Sequence, residues 1–264
     1  MLTFVVPVKS ERVSANWSKF CALYERTLTS ICNQTDENFK VVVVCHERPQ
    51  IDFSHKNIHY LEVDFDPPIR GESESDDSIN KRRELDKGKK LQLGAAYAKD
   101  NFNTDYIMTV DSDDFVSDRI AEFVNNNHEN RPGWYVKKGY IYFEGNFFLF
   151  KSQKFSYLCG SSVIVKPELF KYFFGLDPIL YFDHRLTVLN ENIVLDVLPF
   201  YGGIYSMANG ENHLMNFSNI KKFNTHKDLM TAEGMKRIGA KIKNYSFKFI
   251  TKKIKREFSF KIQS

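Results

Sequence analysis

The sequence predicts an α/β fold, a sheet flanked by helices, on three observations. Short apolar, β-branched runs recur at Thr3 to Val8 and Phe39 to Cys45, too continuous for half-exposed strands and suited to strands buried on both faces. Between them lies a helical stripe, since Trp17, Phe20, Cys21, Tyr24, Leu28 and Ile31 recur at three- and four-residue steps. A further apolar run, Tyr106 to Val110, ends in Asp111-Ser112-Asp113-Asp114, three carboxylates within four positions. With 42% hydrophobic and 15% aromatic residues over 264 positions, the chain has ample material for one large core.

Strand, helix, strand implies a right-handed crossover between the first two runs. Ile58 to Val63 reads as a third strand. From Phe65 to Asp86 the chain turns polar, with Pro67-Pro68, Gly71 and an acidic, serine-rich stretch, a composition that predicts a mobile loop. A helix over Leu85 to Lys99 follows, with Leu91, Ala95 and Ala98 on one face, and leads to the strand that ends at Asp111. Ser117 to Asn126 reads as a helix capped by Ser117, with Ile120, Phe123 and Val124 inward. Alternation around Glu144-Gly145-Asn146 predicts a hairpin over Tyr140 to Phe150. Ser161 to Val165 is a short strand closed by Pro167 at a helix start, and strands over Ile193 to Val197 and Gly203 to Ala208 come after it.

The formal charge of +4 is unevenly spread. Residues 234 to 264 hold ten Lys and Arg against Glu257 alone, leaving the preceding part with 27 basic and 32 acidic side chains and a charge of −5. The tail is a separate electrostatic object. Its Phe247, Ile250, Ile254 and Phe258 recur at helical spacing with lysines between, which predicts a basic amphipathic helix that either sits on an anionic membrane surface or docks on the body. No nucleic-acid partner is expected, because the body is acidic and carries no recognisable binding module. Four scattered cysteines without metal-ligand spacing fit a reducing cytosol. No segment reaches the roughly 18 apolar residues of a membrane span. The expected location is cytoplasmic, or peripheral on the inner face of the plasma membrane through the tail.

Carboxylates crowded at a strand end raise one another's proton affinity unless a cation or a ring of donors compensates them. The acidic run is therefore a candidate divalent-metal site. The alternative is a solvated acidic turn ahead of the helix at Ser117.

This order of strands, with an Asp-x-Asp closing the fourth, resembles the GT-A glycosyltransferases, whose fold is a Rossmann-like mixed sheet flanked by helices. It is most similar to the family 2-like bacterial enzymes that make surface polysaccharides. The resemblance covers roughly residues 1 to 215 and rests on Phe4 to Val8, Val41 to Glu47 and Tyr106 to Phe115. It implies a nucleotide-sugar-binding half over 1–115, an acceptor-binding half over 116–233 and the basic tail over 234–264.

The resemblance further implies transfer of a sugar from a nucleotide-diphosphate donor, UDP-linked by preference, to a glycan or lipid-linked acceptor, with Mn2+ or Mg2+ bridging the diphosphate. Charge develops on the departing diphosphate, and a hard cation with oxygen ligands stabilises it. Asp113 becomes the expected direct metal ligand and Asp111 a contact to the ribose, a metal-bound water or the metal, with Ser112 pointing away or aiding the sugar and His213 as the third ligand. Asp183, in Tyr181-Phe182-Asp183-His184-Arg185, becomes the candidate base of an inverting reaction, although Phe182 stands where the family often has Glu. The alternative for Asp183 is a helix N-cap.

Nucleotide contacts are expected at the carboxyl ends of the first two strands, from Pro7, Val8 and Lys9 and from Cys45, His46 and Glu47. Lys89 and Lys90 are the candidate diphosphate contacts, with one of the two facing the site. Two competing classes remain. A sugar-phosphate nucleotidyltransferase would want a glycine-rich basic loop after the first strand, where Lys9-Ser10-Glu11-Arg12 stands. A non-catalytic glycan- or membrane-binding module would need no working metal site.

Overall fold

The computed structural model describes residues 1–175, 181–210 and 245–260. Seven strands form the main sheet in the order β12-β6-β9-β4-β1-β2-β3. They are β1 (Leu2–Pro7), β2 (Phe39–Cys45), β3 (Ile58–Glu62), β4 (Tyr106–Thr109), β6 (Gly133–Tyr135), β9 (Val163–Val165) and β12 (Asp196–Val197). Strands β3, β2, β1 and β4 run parallel, and β9 is inserted antiparallel between β4 and β6. The chain is thus a mixed α/β structure with helices on both faces of its sheet.

Residue parity along the strands decides what each face meets. Phe4, Val6, Val41, Val43, Tyr106 and Met108 point to one side, where α1 (Trp17–Ile31) and α3 (Ile120–Asn126) cover them. Val5, Val42, Val44 and Ile107 point to the other, against Leu91, Ala95 and Ala98 of α2 (Asp76–Asn101). Helix α2 presses close, because a Cβ on Gly94 would stand 2.5 Å from Val5 Cγ1 and 2.9 Å from Val44 Cγ2. Two buried and largely apolar faces explain why these runs read as continuous rather than alternating.

A second, five-stranded sheet has the order β14-β8-β7-β13-β5, from β5 (Phe115–Val116), β7 (Lys138–Phe143), β8 (Phe148–Ser152), β13 (Tyr201–Met207) and β14 (Tyr245–Phe249). The expected hairpin is β7 and β8, turning at Gly145 with φ of 87°. A one-turn helix α4 (Phe155–Leu158) follows, and β10 (Val188–Asn190) pairs with β11 (Ile193–Val194). Strands of the 116–233 stretch enter the same main sheet as those of 1–115.

Three expectations are corrected. The segment read as a mobile loop up to Asp86 is helical from Asp76, because Ser75 caps the end by accepting from the Ser78 amide and Asp76 and Asp77 favour the positive helix terminus. The Lys81–Asp77 pair, one turn apart, adds to it. The helix read from Ser117 begins at Ile120, and the Ser117 hydroxyl instead donates to Glu257. In the tail, Phe247 lies in strand β14, paired antiparallel with β8, and helix α5 is confined to Lys252–Glu257. Ile254, Phe258 and Phe260 are buried against Phe115, Tyr140 and Tyr142, so the described tail packs on the body. Among the described residues no helix is long and apolar enough to cross a membrane.

Candidate active site

Strands β1, β2 and β4 end on one edge of the sheet, the edge where open α/β sheets gather ligands. A cleft of about 140 Å³ opens there beside the ends of β1 and β4, lined by Pro7, Val8, Lys9, Asp111, Ser112 and Asp113 from the strand ends. Arg83, Glu84, Asp86, Lys87 and Lys90 of α2 line the opposite wall, and Tyr205 of β13 faces in as well.

The acidic run divides into two parts. Asp114 is fully buried and accepts from Ser161 Oγ (2.6 Å), Cys159 Sγ (3.0 Å) and the Ser206 amide (3.1 Å). Burial first, then the neighbouring Asp113 and Asp111, pushes its carboxyl far above the usual range. Asp114 is thus a structural knot joining β4, β9 and β13. Asp111 and Asp113 face the cleft.

Asp111 is held from three sides. Its amide donates to Ser161 Oγ (2.8 Å), and its Oδ1 meets the Lys87 ammonium at 2.6 Å. A Cβ on Gly160 would stand 2.8 Å from its Oδ2, so glycine there lets the backbone pass close. Burial works against the Lys87 ammonium, but the Asp111 and Glu84 carboxylates outweigh it and raise its proton affinity. Asp113 Oδ2 accepts from Asn209 Nδ2 at 2.7 Å. Burial and the charge of Asp111 push Asp113 up to about 6.

A polar chain backs Asn209. Arg26, 8% exposed, forks onto both oxygens of Glu144 (2.6 and 3.2 Å), and Glu144 Oε1 accepts from Ser206 Oγ at 2.7 Å. Asn209 Nδ2 lies 3.5 Å from that hydroxyl, so the ion pair beneath α1 is tied to the carboxylate in the cleft.

Other expected residues stand differently. Lys90 is 1% exposed and donates to the Val8 carbonyl (2.8 Å) and Asp86 Oδ2 (2.7 Å), fixing the floor of the cleft. Lys89 lies over the Phe65 ring, 5.1 Å from its centroid. The α2 lysine that faces the carboxylates is Lys87, one helical turn before Leu91 on the buried stripe. Cys45 is buried in the core, where burial pushes its thiol up to about 11. His46 turns toward Asp86 (3.7 Å) and Phe65, and its ring is held below the usual histidine range by burial and Lys90. Glu47 clamps the turn after β1, accepting from Ser10 Oγ (3.0 Å), the Glu11 amide (3.1 Å) and Arg12 Nε (3.1 Å).

Asp183 forms a two-pronged pair with Arg185 (2.7 and 3.1 Å), which holds its carboxyl below the usual range. Next to it, His184 bonds through Nδ1 to the Ser156 carbonyl (2.7 Å) and is held low by burial and by Lys87. His213 lies outside the described residues. Among the described residues no three His, Cys, Asp or Glu side chains form a metal-binding group. The donors that fit a divalent cation are Asp111 and Asp113, whose mutual repulsion is the stress such an ion relieves.

Neither a family model nor a curated protein matches the sequence. Solved structures similar to it include the crystal structure of S. aureus TarS, at 13% identity and a TM-score of 0.46, covering 88% of this chain and 40% of that one. TarS 1-349 in complex with UDP-GlcNAc is similar at 14% identity and a TM-score of 0.47, over 90% of this chain and 72% of that one. Its complex with UDP gives 14% and 0.44 over the same shares. The chain thus spans less than half the length of the first of these proteins. None of these likenesses assigns a residue or an activity to this chain.

Proposed function

We propose that the protein is a metal-dependent glycosyltransferase that moves a sugar from a nucleotide-diphosphate donor, UDP-linked by preference, to a glycan or lipid-linked acceptor. The observation that carries this reading is the opposition of Asp111 and Asp113 to Lys87 across one cleft at the sheet's ligand edge. Carboxylates for a cation and a half-buried ammonium for phosphate are the two charges that a leaving diphosphate requires. A bound Mn2+ or Mg2+ would supply charge stabilisation on the departing diphosphate. In this reading Asp113 and Asp111 hold it, and His213 completes the set.

Lys87 and Lys9 then bind and orient the diphosphate oxygens, while the Val8 carbonyl and Pro7, braced by Lys90, shape the nucleotide floor. Ser112 contacts the sugar side. Asp183 is the proposed acceptor-side base, which its pair with Arg185 keeps ionised and which must exchange that pair for an acceptor hydroxyl before it takes the proton. The product would enter a bacterial surface glycan, with inversion at the anomeric carbon.

Calorimetry with UDP, GDP, CDP and their sugars, with and without Mn2+, tests the reading. Metal-dependent nucleotide binding and slow release of nucleoside diphosphate from a nucleotide sugar are expected. Pyrophosphate formation with a sugar phosphate would assign the site to nucleotidyl transfer, and neither binding nor turnover would leave a non-catalytic module.

A further inference from the structure

An antiparallel sheet with one face in the core usually turns alternating polar residues to water. The antiparallel strands β7, β8 and β14 of the second sheet do not. Its inner face is filled by Leu149, Tyr140 and Tyr142, packed with Ile254, Phe258 and Phe260. On the opposite face β8 presents Phe148 and Phe150, and the register sets Phe249 and Phe247 of β14 directly beside them. Phe150 and Phe247 lie 4.8 Å apart between ring centroids and Phe148 and Phe247 5.3 Å, while Phe147 from the hairpin turn stacks on Phe249 at 6.5 Å.

This is a continuous slab of phenylalanine, and it is open. Phe147, Phe247 and Phe249 are 67%, 67% and 69% exposed. Phenylalanine has no polar tip to satisfy in water, so an exposed cluster of this kind marks a surface that is covered in use.

The charge around the slab selects the cover. No Asp or Glu occurs from Gly145 through Leu158, where Lys151 and Lys154 stand, and the only acidic residue from 234 to 264, Glu257, is taken up by the Ser117 hydroxyl. Strand β14 runs directly into α5, where Lys252, Lys253, Lys255 and Arg256 are exposed. A second copy of this chain pairing along the edge of β14 to which no described strand bonds would bring two such basic segments together. A surface that is apolar at depth and anionic at its rim meets both features.

We propose that this phenylalanine face, with the basic segment that follows β14, docks the protein on an anionic lipid bilayer. The rings enter the headgroup boundary as the side of a sheet, not as a helix lying in the interface. The proposal concerns where the protein sits and does not depend on the reaction that its cleft catalyses.

Sedimentation of the full chain with vesicles of equal parts phosphatidylcholine and phosphatidylglycerol, and with pure phosphatidylcholine, tests it. Binding to the mixed vesicles is expected, weakening in high salt. The Phe247→Ser/Phe249→Ser variant should bind at least about tenfold more weakly. Phe147→Ser, in the turn and outside the strand ladder, should weaken binding in the same direction with an unchanged thermal midpoint, which separates lost docking from lost folding. Absence of binding by the unaltered protein, or equal binding by both variants, would overturn the proposal. A phenylalanine-dependent dimer in sedimentation velocity without vesicle binding would overturn it too and assign the face to a second copy.

Discussion

Lys87 Nζ and Asp111 Oδ1 stand 2.6 Å apart across the cleft, joining the long helix α2 to the end of strand β4. The pair sets the charge that Asp113 experiences, since Asp111 is the largest electrostatic neighbour that raises Asp113 and Lys87 is one of those that lower it. Removing either partner therefore alters the site twice, once directly and once through Asp113.

Lys87→Met should leave the fold intact while cutting turnover by about a hundredfold, the usual cost of losing one preorganised donor to developing charge. Lys87→Arg keeps the charge and should recover part of it. Steady-state release of nucleoside diphosphate measures both, and turnover of Lys87→Met equal to that of the unaltered protein would remove Lys87 from diphosphate binding.

Gly160→Ala brings a methyl to within 2.8 Å of Asp111 Oδ2 and 3.2 Å of Lys87 Nζ, two flexible side-chain ends. They can give way, so stability should change by no more than about 1 kcal/mol. The displaced pair should nonetheless weaken nucleotide binding by about tenfold. Thermal unfolding and calorimetry on one preparation separate the two effects.

Glu144→Ala removes the carboxylate that pairs with buried Arg26 and accepts from the Ser206 hydroxyl. Loss of about 3 kcal/mol is expected in denaturant unfolding. Because Asn209 sits on that hydroxyl, Asp113 should also lose its fixed orientation. Glu144→Gln, which keeps the acceptor oxygen, should cost less in stability and in turnover.

Asp118 carries a pH signature. Burial first, and then Glu257 of α5, raise it from an ordinary 3.8 to about 6. The folded state holds this proton where the unfolded chain releases it, so stability from this group falls as pH rises between those two values and stays lower above about 6. Asp118→Asn should stabilise the protein at neutral pH and have no such effect below pH about 4. Thermal midpoints of the two proteins against pH should diverge across that window, and parallel curves would exclude the contribution.

The parts of the fold legible in the sequence are those whose pattern is set locally. Val41 to Val44 could only be buried on both faces, and Glu144-Gly145-Asn146 could only turn. Asp76 to Glu84 hid a helix because its stability comes from a Ser75 cap and charge pairs rather than from an apolar stripe. The site lysine, Lys87, lies inside the helix that the sequence does predict over Leu85 to Lys99, one turn before Leu91 on the stripe of Leu91, Gly94 and Ala98, and charge alone does not show which of Lys87, Lys89 and Lys90 meets the carboxylates. The tail held two periods at once. Phe247 and Phe249 alternate as in a strand while Ile250, Ile254 and Phe258 step as in a helix, and pairing with β8 decides between them. Asp111 and Asp113 were legible as a pair, but the inward turn of Asp114 was not, because its partners come from far along the chain, Cys159 and Ser161 from the turn before β9 and Ser206 from β13.

The single hydroxyl of Ser161 accepts from the Asp111 amide and donates to Asp114. The curvature of the acidic loop is therefore moulded from outside, by a residue that enters the fold some fifty positions later. A fragment stopping short of Ser161 could assemble all four parallel strands and still present its carboxylates at the wrong separation, which makes the site a property of the finished fold and not of the segment that spells it.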